Sequence, residues 1–313
     1  MEELRNLTNR EFYSILSKPD NEFEDFIIKL NILPKKTQIC VCGGKMNLRQ
    51  RGTRGVTYRC TSKNCRKERG RKKNSFFEGS NLCYKDIFEL SYLWSHNQAS
   101  MENVTRCLRK SDGSEPSTKT VVDWKNFFRD ICKIYFDKHP IVIGGPGIEV
   151  QIDETVVTKR KYHRGRMPAT EWWFFGGIEP SSGRAFMLPV QARNRDTLFP
   201  LIRRHIAPGS IISSDGWAAY ATLGELPEGY VHKTVIHSEN FVDPVTGTHT
   251  QSIESVWQKF KERHKHEYGT ARTLMEQYMI EFLWRREFKE DPFYHLWNQI
   301  CQKYNFNNNE EDE

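Results

Sequence analysis

The spacing of apolar positions changes period near residue 140. Between Tyr84 and Asn97, the residues Ile87, Leu90, Tyr92, Leu93 and Trp94 fall largely on one helical face. A second short helix is predicted over Met101 to Leu108, where Val104 and Leu108 lie one turn apart. The stretch Ser111-Asp112-Gly113-Ser114-Glu115-Pro116 reads as a turn, and a third helix starting near Ser117 carries Val121, Val122, Trp124, Phe127, Phe128, Ile131 and Ile134. Helix, helix, turn, helix is the order of a helix-turn-helix-like DNA-binding region over 81–138, with Lys119 and Lys125 as DNA contacts, and equally that of any three-helix bundle. Cys83, Cys107 and Cys132 lie in this region and read as small core residues.

His139-Pro140 and Gly144-Gly145-Pro146-Gly147 mark a boundary, after which strands are predicted. Ile148, Val150 and Ile152 alternate with Glu149, Gln151 and Asp153, which places Asp153 at the end of a strand on its polar face. Trp172 to Ile178 and Arg184 to Val190 form a hairpin around Glu179-Pro180-Ser181-Ser182-Gly183. There follow a helix from about Asp196 to Ile206, a buried strand Ile211 to Ser214 running into Asp215, a short helix Trp217 to Thr222 and a strand near Lys233 to His237. The last predicted element is an amphipathic helix over Ser252 to Lys265, with Ile253, Val256, Trp257 and Phe260 as its buried stripe. Trp172, Trp173, Trp217 and Trp257 are assigned mostly to core packing, with base stacking as the alternative. The order β-β-β-α-β-α-β-α is that of a ribonuclease H-like α/β fold with a mixed sheet, in which the first and fourth strands lie side by side.

That adjacency brings Asp153 and Asp215 together, and Glu254, beside the buried stripe of the last helix, points back at them. Lys261 lies two turns further along the same face. Three gathered carboxylates make a hard oxygen site suited to two Mg²⁺ or Mn²⁺ ions, the arrangement that drives in-line phosphoryl displacement. Taken singly, the two aspartates also suit strand-end turns and Glu254 a solvated helix face.

Composition adds a partner. The 313 residues hold 47 Lys+Arg against 40 Asp+Glu, for a formal net charge of +7. Twelve bases and the single acid Glu68 lie between Lys45 and Lys73, so this window exceeds the total and the remainder is net acidic. Such one-sign density suits a phosphate backbone and marks Lys72 and Lys73 as DNA contacts. A second basic run, Lys159, Arg160, Lys161, Arg164 and Arg166, follows Asp153-Glu154 and would guide a polyanion toward those acids. Mean hydropathy is −0.70 and no run of apolar residues is long enough to span a bilayer, which excludes a membrane partner. Residues Met1 to Asp20 lack the apolar run of a secretory signal, so a reducing compartment is expected.

There, the first four of the eight cysteines, Cys40, Cys42, Cys60 and Cys65, read as two ligand pairs of a structural zinc site in a zinc-ribbon-like module, with free loop thiols as the alternative. Cys40 and Cys42 are separated only by Val41, closer than an ordinary zinc knuckle. The expected organisation is an N-terminal helical segment over 1–36, the zinc-ribbon-like basic module over 37–80, the helical region over 81–138, the catalytic domain over 146–290, and a C-terminal segment over 291–313 whose acidic end is disordered.

Several blocks in one order carry a family resemblance from about Cys40 to Phe288. They are Asn74-Ser75-Phe76-Phe77-Glu78-Gly79-Ser80, Thr120-Val121-Val122-Asp123-Trp124, Gln151-Ile152-Asp153-Glu154-Thr155, Ser214-Asp215-Gly216-Trp217-Ala218-Ala219-Tyr220, His237-Ser238-Glu239-Asn240-Phe241-Val242-Asp243-Pro244 and Thr248-His249-Thr250-Gln251-Ser252-Ile253-Glu254-Ser255-Val256-Trp257. In these the chain resembles the Merlin superfamily of cut-and-paste DNA transposases and their bacterial insertion-sequence relatives. The resemblance implies that Asp153, Asp215 and Glu254 are the DDE triad of a ribonuclease H-like transposase. Such an enzyme cleaves at terminal inverted repeats and transfers the freed 3′-hydroxyl ends into target DNA, as a dimer or larger assembly. His237 and His249 match family blocks, as aids to DNA positioning or as structural histidines. The alternatives are a DNA-binding regulator with an idle catalytic domain and a structure-specific nuclease of the same fold. The function implies the nucleus in a eukaryotic host, with Arg66 to Lys73 as an import signal, and the cytoplasm or nucleoid in a bacterial one.

Overall fold

By its internal contacts the chain divides into two units, Met1–Ile131 with the segment from Glu290 onward, and Cys132–Lys289. The computed structural model describes residues 1–52, 55–156, 173–235, 249–266 and 274–306.

In the first unit, α1 (Asn9–Leu16) starts on a capping box in which the Glu11 N–H donates to Thr8 Oγ1 and the Thr8 N–H to Glu11 Oε2. After α2 (Asp20–Lys29), β1 (Thr37–Ile39), β2 (Lys45–Gln50), β3 (Val56–Cys60) and β4 (Glu68–Gly70) form an antiparallel sheet in sequence order. Its buried apolar cluster is small, Met46 and Tyr58 with Cys40 and Cys60, so half of it is thiol. Helices α3 (Tyr84–Ser95), α4 (Met101–Leu108) and α5 (Thr118–Lys138) follow close to their predicted places, and the division between units falls within α5. Ser100 caps α4 by accepting from the Asn103 N–H at 3.2 Å. Cys132 is buried as expected, whereas Cys107 is half-buried and Cys83 is exposed. Cys83 is the cap of α3, its sulfur accepting from the Asp86 N–H, a role that needs the helix end and not the core.

The second unit begins with β5 (Ile143–Gly144). Strands β6 (Glu149–Val156), β7 (Trp173–Ile178) and β8 (Ala185–Val190) form an antiparallel meander, and α6 (Arg195–His205) leads on to β9 (Ile206–Ala207), which pairs with β5. Next come β10 (Ile211–Asp215), β11 (Val231–Val235), α7 (Gln251–His266) and α8 (Met275–Glu287). The five-stranded sheet runs β11-β10-β6-β7-β8, with β10 parallel to both β6 and β11. Pro189, which has no N–H to give a ladder, lies on the edge strand β8. Helix α7 packs on β6 and β7, and α8 on β8. Arg263 of α7 and Arg285 of α8 both bond Glu281, whose side chain is almost fully buried.

Four further expectations change. Strand β6 runs three residues beyond Asp153, because Asp153 to Val156 pair with Gly176 to Trp173 of β7. Gln151, expected on an open polar face, is fully buried, because the start of α7 covers it. The helix expected over Trp217 to Thr222 is a short 3-10 turn at Ala218–Tyr220, with a second at Leu223–Glu225, so no full helix joins β10 to β11 among the described residues. Helix α7 is not the last element: α8 follows, and α9 (Pro292–Lys303) completes the first unit, where Trp297 is buried beside Phe77 and Phe88 and donates to Ser91 Oγ.

Glu89 on α3 makes the stability of the first unit depend on pH. Burial pushes its carboxyl from the ordinary 4.5 up to about 7, against a hydrogen bond from Tyr13. A carboxyl raised in the folded state contributes stability that is fully present below about pH 4.5 and lost as pH rises through about 7. Glu89→Gln will therefore stabilise the fold at pH 8 by on the order of 2 kcal/mol, raising the thermal midpoint there, and leave the midpoint near the parent's at pH 4.5. Calorimetry at the two pH values checks this, and an equal change at both would remove Glu89 as the cause.

Candidate functional site

Each unit gathers one set of chemically active side chains. In the first, the sulfurs of Cys40, Cys42, Cys60 and Cys65 all lie within 4.8 Å of one another. Cys40 and Cys65 Sγ are 3.6 Å apart, and Cys42 and Cys60 Sγ 3.5 Å. Thiolates around zinc, with bonds of about 2.3 Å, stand roughly 3.8 Å apart at tetrahedral corners, so this donor set could hold the ion. The tight first pair is closed by the Gly43 N–H donating to Cys40 O at 2.7 Å and the Cys40 N–H to Gly44 O at 2.8 Å. A Cβ at position 44 would lie 3.0 Å from Cys60 Sγ and 3.3 Å from Cys42 Sγ, so glycine there makes room for the sulfurs. A hydrogen bond from the Gly44 N–H pulls the Cys42 thiol down to about 7, toward the thiolate that metal requires.

Around this cluster the basic window divides by role. Arg71 is buried, with its guanidinium on Glu24, Pro34 O and the Tyr58 hydroxyl, and is structural. Lys72 gives its ammonium to Ser80 O at 3.0 Å and Leu82 O at 3.2 Å, whereas Lys73 is exposed. Glu68 pairs with Arg51 and Arg59. Lys45, Arg49, Lys63, Arg66 and Lys67 are exposed and have no ion pair among the described residues. Lys119 is exposed and Lys125 half-buried on α5.

In the second unit, β6 and β10 are in register from Ile211–Glu149 to Ser213–Gln151, so Asp153 and Asp215 lie two residues past the last pair on adjacent strands. Glu254 comes from the first turn of α7, with Oε1 accepting from Thr250 Oγ1 at 2.9 Å. Two contacts tie α7 to β6. Gln151 Oε1 accepts from the Ser252 N–H at 3.0 Å, and Trp257 Nε1 donates to Asp153 Oδ2 at 3.1 Å. Gly176, opposite Asp153, clears space for that indole, since a Cβ there would lie 2.8 Å from the Trp257 ring. Burial, with Asp215 and Glu254 adding to it, pushes the Asp153 carboxyl up to about 7. Burial and the charges of Asp153 and Asp215 likewise push Glu154 up to about 8, while Arg193 opposes the rise. Glu154 accepts the Tyr220 hydroxyl proton in a hydrogen bond on the opposite side of the strand from Asp153.

A cavity of about 730 Å³ opens over this face, lined by Asp153, Thr155, Glu254, Trp257, Lys261 and Lys265. Asp215 is outside its lining, although its charge is felt at Asp153. Lys261 Nζ donates to Thr155 Oγ1 at 2.5 Å, which puts a cation at the rim beside the acids. Among the described residues only the four cysteines bring three or more metal-ligating atoms within 4.8 Å of one another, so the carboxylates are gathered more loosely than the thiols. Hard oxygen donors beside a carboxyl raised by its acidic neighbours fit a divalent cation, which would offset their charge.

His249 Nδ1 lies 3.3 Å from Gln151 Nε2 and thus touches the strut between β6 and α7 instead of an acid. His237 and the run Lys159, Arg160, Lys161 and Arg164 lie outside the described residues. Gln151, Glu154, Arg193 and the Trp257 N–H are site residues that sequence spacing did not single out. The only signal was the presence of Gln151, Glu154 and Trp257 in the same blocks as the acids.

Residues 144–287 match the family model of the ISXO2-like transposase domain. This stretch contains all three acids, and the match agrees with the insertion-sequence side of the resemblance read from the sequence. Comparison with curated proteins finds no match. Among solved structures, a chain from the simian T-cell lymphotropic virus intasome in complex with PP2A regulatory subunit B56 gamma is similar at 15% identity, over 63% of this chain and 67% of that chain, with a TM-score of 0.30. A likeness that low carries no argument. No helix among the described residues is long and apolar enough to cross a membrane.

Proposed function

We propose that the protein, whose residues 144–287 match the ISXO2-like transposase domain, is a DDE transposase that cleaves DNA at terminal inverted repeats and joins the 3′-hydroxyl ends to target DNA. The observation that supports this reading is that Asp153 and Asp215 lie level on the adjacent strands β6 and β10, while Glu254, from the first turn of α7, lines the same cavity as Asp153. The sheet order β11-β10-β6-β7-β8, with a three-stranded meander and two parallel strands added beyond its first strand, supports a ribonuclease H-like fold. Mg²⁺ or Mn²⁺ held by these acids would activate the attacking oxygen and stabilise the leaving oxygen.

The chain's own side chains prepare the site. Trp257 fixes one oxygen of Asp153, Gln151 fixes the start of α7 so that Glu254 meets β6, and Lys261 offers a phosphate contact at the rim. The exposed bases of the β1–β4 module, held on a zinc site of Cys40, Cys42, Cys60 and Cys65, supply DNA affinity that is not sequence-specific. Helices α3 to α5 act as the helix-turn-helix-like reader of the repeats through Lys119 and Lys125, joined by Lys73. Lys159, Arg160, Lys161 and Arg164 steer the DNA toward the acids, and His237 and His249 help to position it. Two ends must be joined, so the working form is a dimer or larger, in the nucleus or the bacterial cytoplasm according to the host.

The test is supercoiled DNA carrying the gene's own flanking repeats, incubated with the full chain in Mg²⁺ and separately in Mn²⁺. Cleavage at the repeat ends and joined products, both lost in Glu254→Gln, are expected. Tight repeat binding without product would replace this reading with a DNA-binding regulator. Cutting of branched DNA regardless of repeats would replace it with a structure-specific nuclease.

A further inference from the structure

Trp217 is 43% exposed, although it stands two residues beyond Asp215. Its polar groups are committed: the ring N–H donates to Arg193 O at 3.0 Å and the backbone N–H to Asp215 Oδ1 at 3.1 Å. The indole is thus held in place while a large apolar surface is left in water, a combination that core packing does not explain. By contrast, Trp257 is 3% exposed and its N–H is used on Asp153.

Arg193 lies beside it. Its guanidinium carbon is 3.5 Å from the ring centroid of Trp173 and 5.1 Å from that of Trp217. Among the described residues this guanidinium makes no hydrogen bond and no ion pair. Stacking on a ring uses the face of a guanidinium and leaves its N–H edge free, and that edge is the fork that grips a phosphate.

We propose that Arg193 and Trp217 form a nucleotide clamp beside the acids, in which Arg193 binds a DNA phosphate next to the cut and Trp217 stacks on an unpaired base of that nucleotide. This rests on the DNA-cleaving reading of Asp153, Asp215 and Glu254. Inside a duplex both faces of a base are covered by its neighbours, so a single exposed indole gains contact only where a base has left the stack. The clamp therefore favours a frayed end over continuous duplex, and it supplies a contact that the sequence-reading helices do not.

The test uses the full chain in metal-free buffer and two duplexes of the flanking repeat, one fully paired and one with unpaired nucleotides at the cut end, the first of them 2-aminopurine. The parent will bind the frayed duplex about tenfold more tightly and quench the 2-aminopurine, as one base stacked on an aromatic ring predicts. Trp217→Ala will lose both effects, and Trp217→Phe will keep part of each. Arg193→Ala will lower the slope of log affinity against log salt by about one. Unchanged preference and quenching in Trp217→Ala, with its thermal midpoint at the parent's value, would overturn the clamp. Cleavage in Mg²⁺ is scored on the same samples. A failed clamp leaves the parent's cleavage present, whereas failure of the transposase reading removes cleavage and leaves the frayed-end preference in place.

Discussion

Asp153→Asn will lower Mg²⁺-dependent cleavage of repeat-bearing DNA by at least about a thousandfold, the scale expected when a metal site supplying several kcal/mol is lost. The protein will stay folded, because what Asp153 contributes to the fold is unfavourable at neutral pH. Its carboxyl is raised to about 7 by burial, then by Asp215 and Glu254. For a raised carboxyl the favourable contribution is complete below about pH 3.8 and disappears as pH passes through about 7. At pH 8 without metal the ionised group costs the fold on the order of 3 kcal/mol, and asparagine removes that cost while keeping an acceptor for the Trp257 N–H. Metal-free thermal melts at pH 8 will place the variant at or above the parent. Added Mg²⁺ will raise the midpoint of the parent, since a cation bound only by the folded state stabilises it, and will raise that of Asp153→Asn far less. Full cleavage by the variant, or an equal Mg²⁺ shift in both proteins, would remove Asp153 from the metal site.

Chelation of zinc, or Cys60→Ser, will unfold the β1–β4 sheet. The cluster that holds it together has only Met46 and Tyr58 besides Cys40 and Cys60 as buried members, with Leu48 and Cys65 partly buried against them. That is too little apolar burial to balance the chain entropy of the segment. Structural zinc in small modules is worth roughly 10–16 kcal/mol at neutral pH, so most of the sheet's stability would come from the ion. Metal analysis will find about one zinc per chain. After chelation, hydrogen exchange will become fast in β2 and β3 while β6, β7 and β10 keep their protection. A sheet that stays protected with no zinc bound would refute the metal site.

Part of this was legible in the chain alone. Helix α4 was predicted at its observed bounds because Val104 and Leu108 repeat at helical spacing. The meander was legible from aromatic strands and the Pro-Ser-Ser-Gly turn, and the register then set Asp153 beside Gly176. The end of β6 was not, because Asp153-Glu154-Thr155 is polar on both faces and its extended form comes from pairing with β7. Helix α8 was missed because Glu281 breaks its apolar face, and arginines of two helices pair with that carboxylate in the interior.

The residue types were determined by the sequence: four thiols at close spacing, three carboxylates on elements of suitable order, and one dense cationic window. Their chemistry follows from composition and local spacing, which need no knowledge of distant neighbours. Tertiary structure decided which of them act together. It put Lys72 on backbone carbonyls and buried Arg71, gave the Trp257 N–H to Asp153, used Gln151 to join β6 to α7, and left Trp217 open beside a stacked Arg193. Each of these depends on hydrogen bonding and packing between residues far apart in the chain, which periodicity along one segment cannot encode.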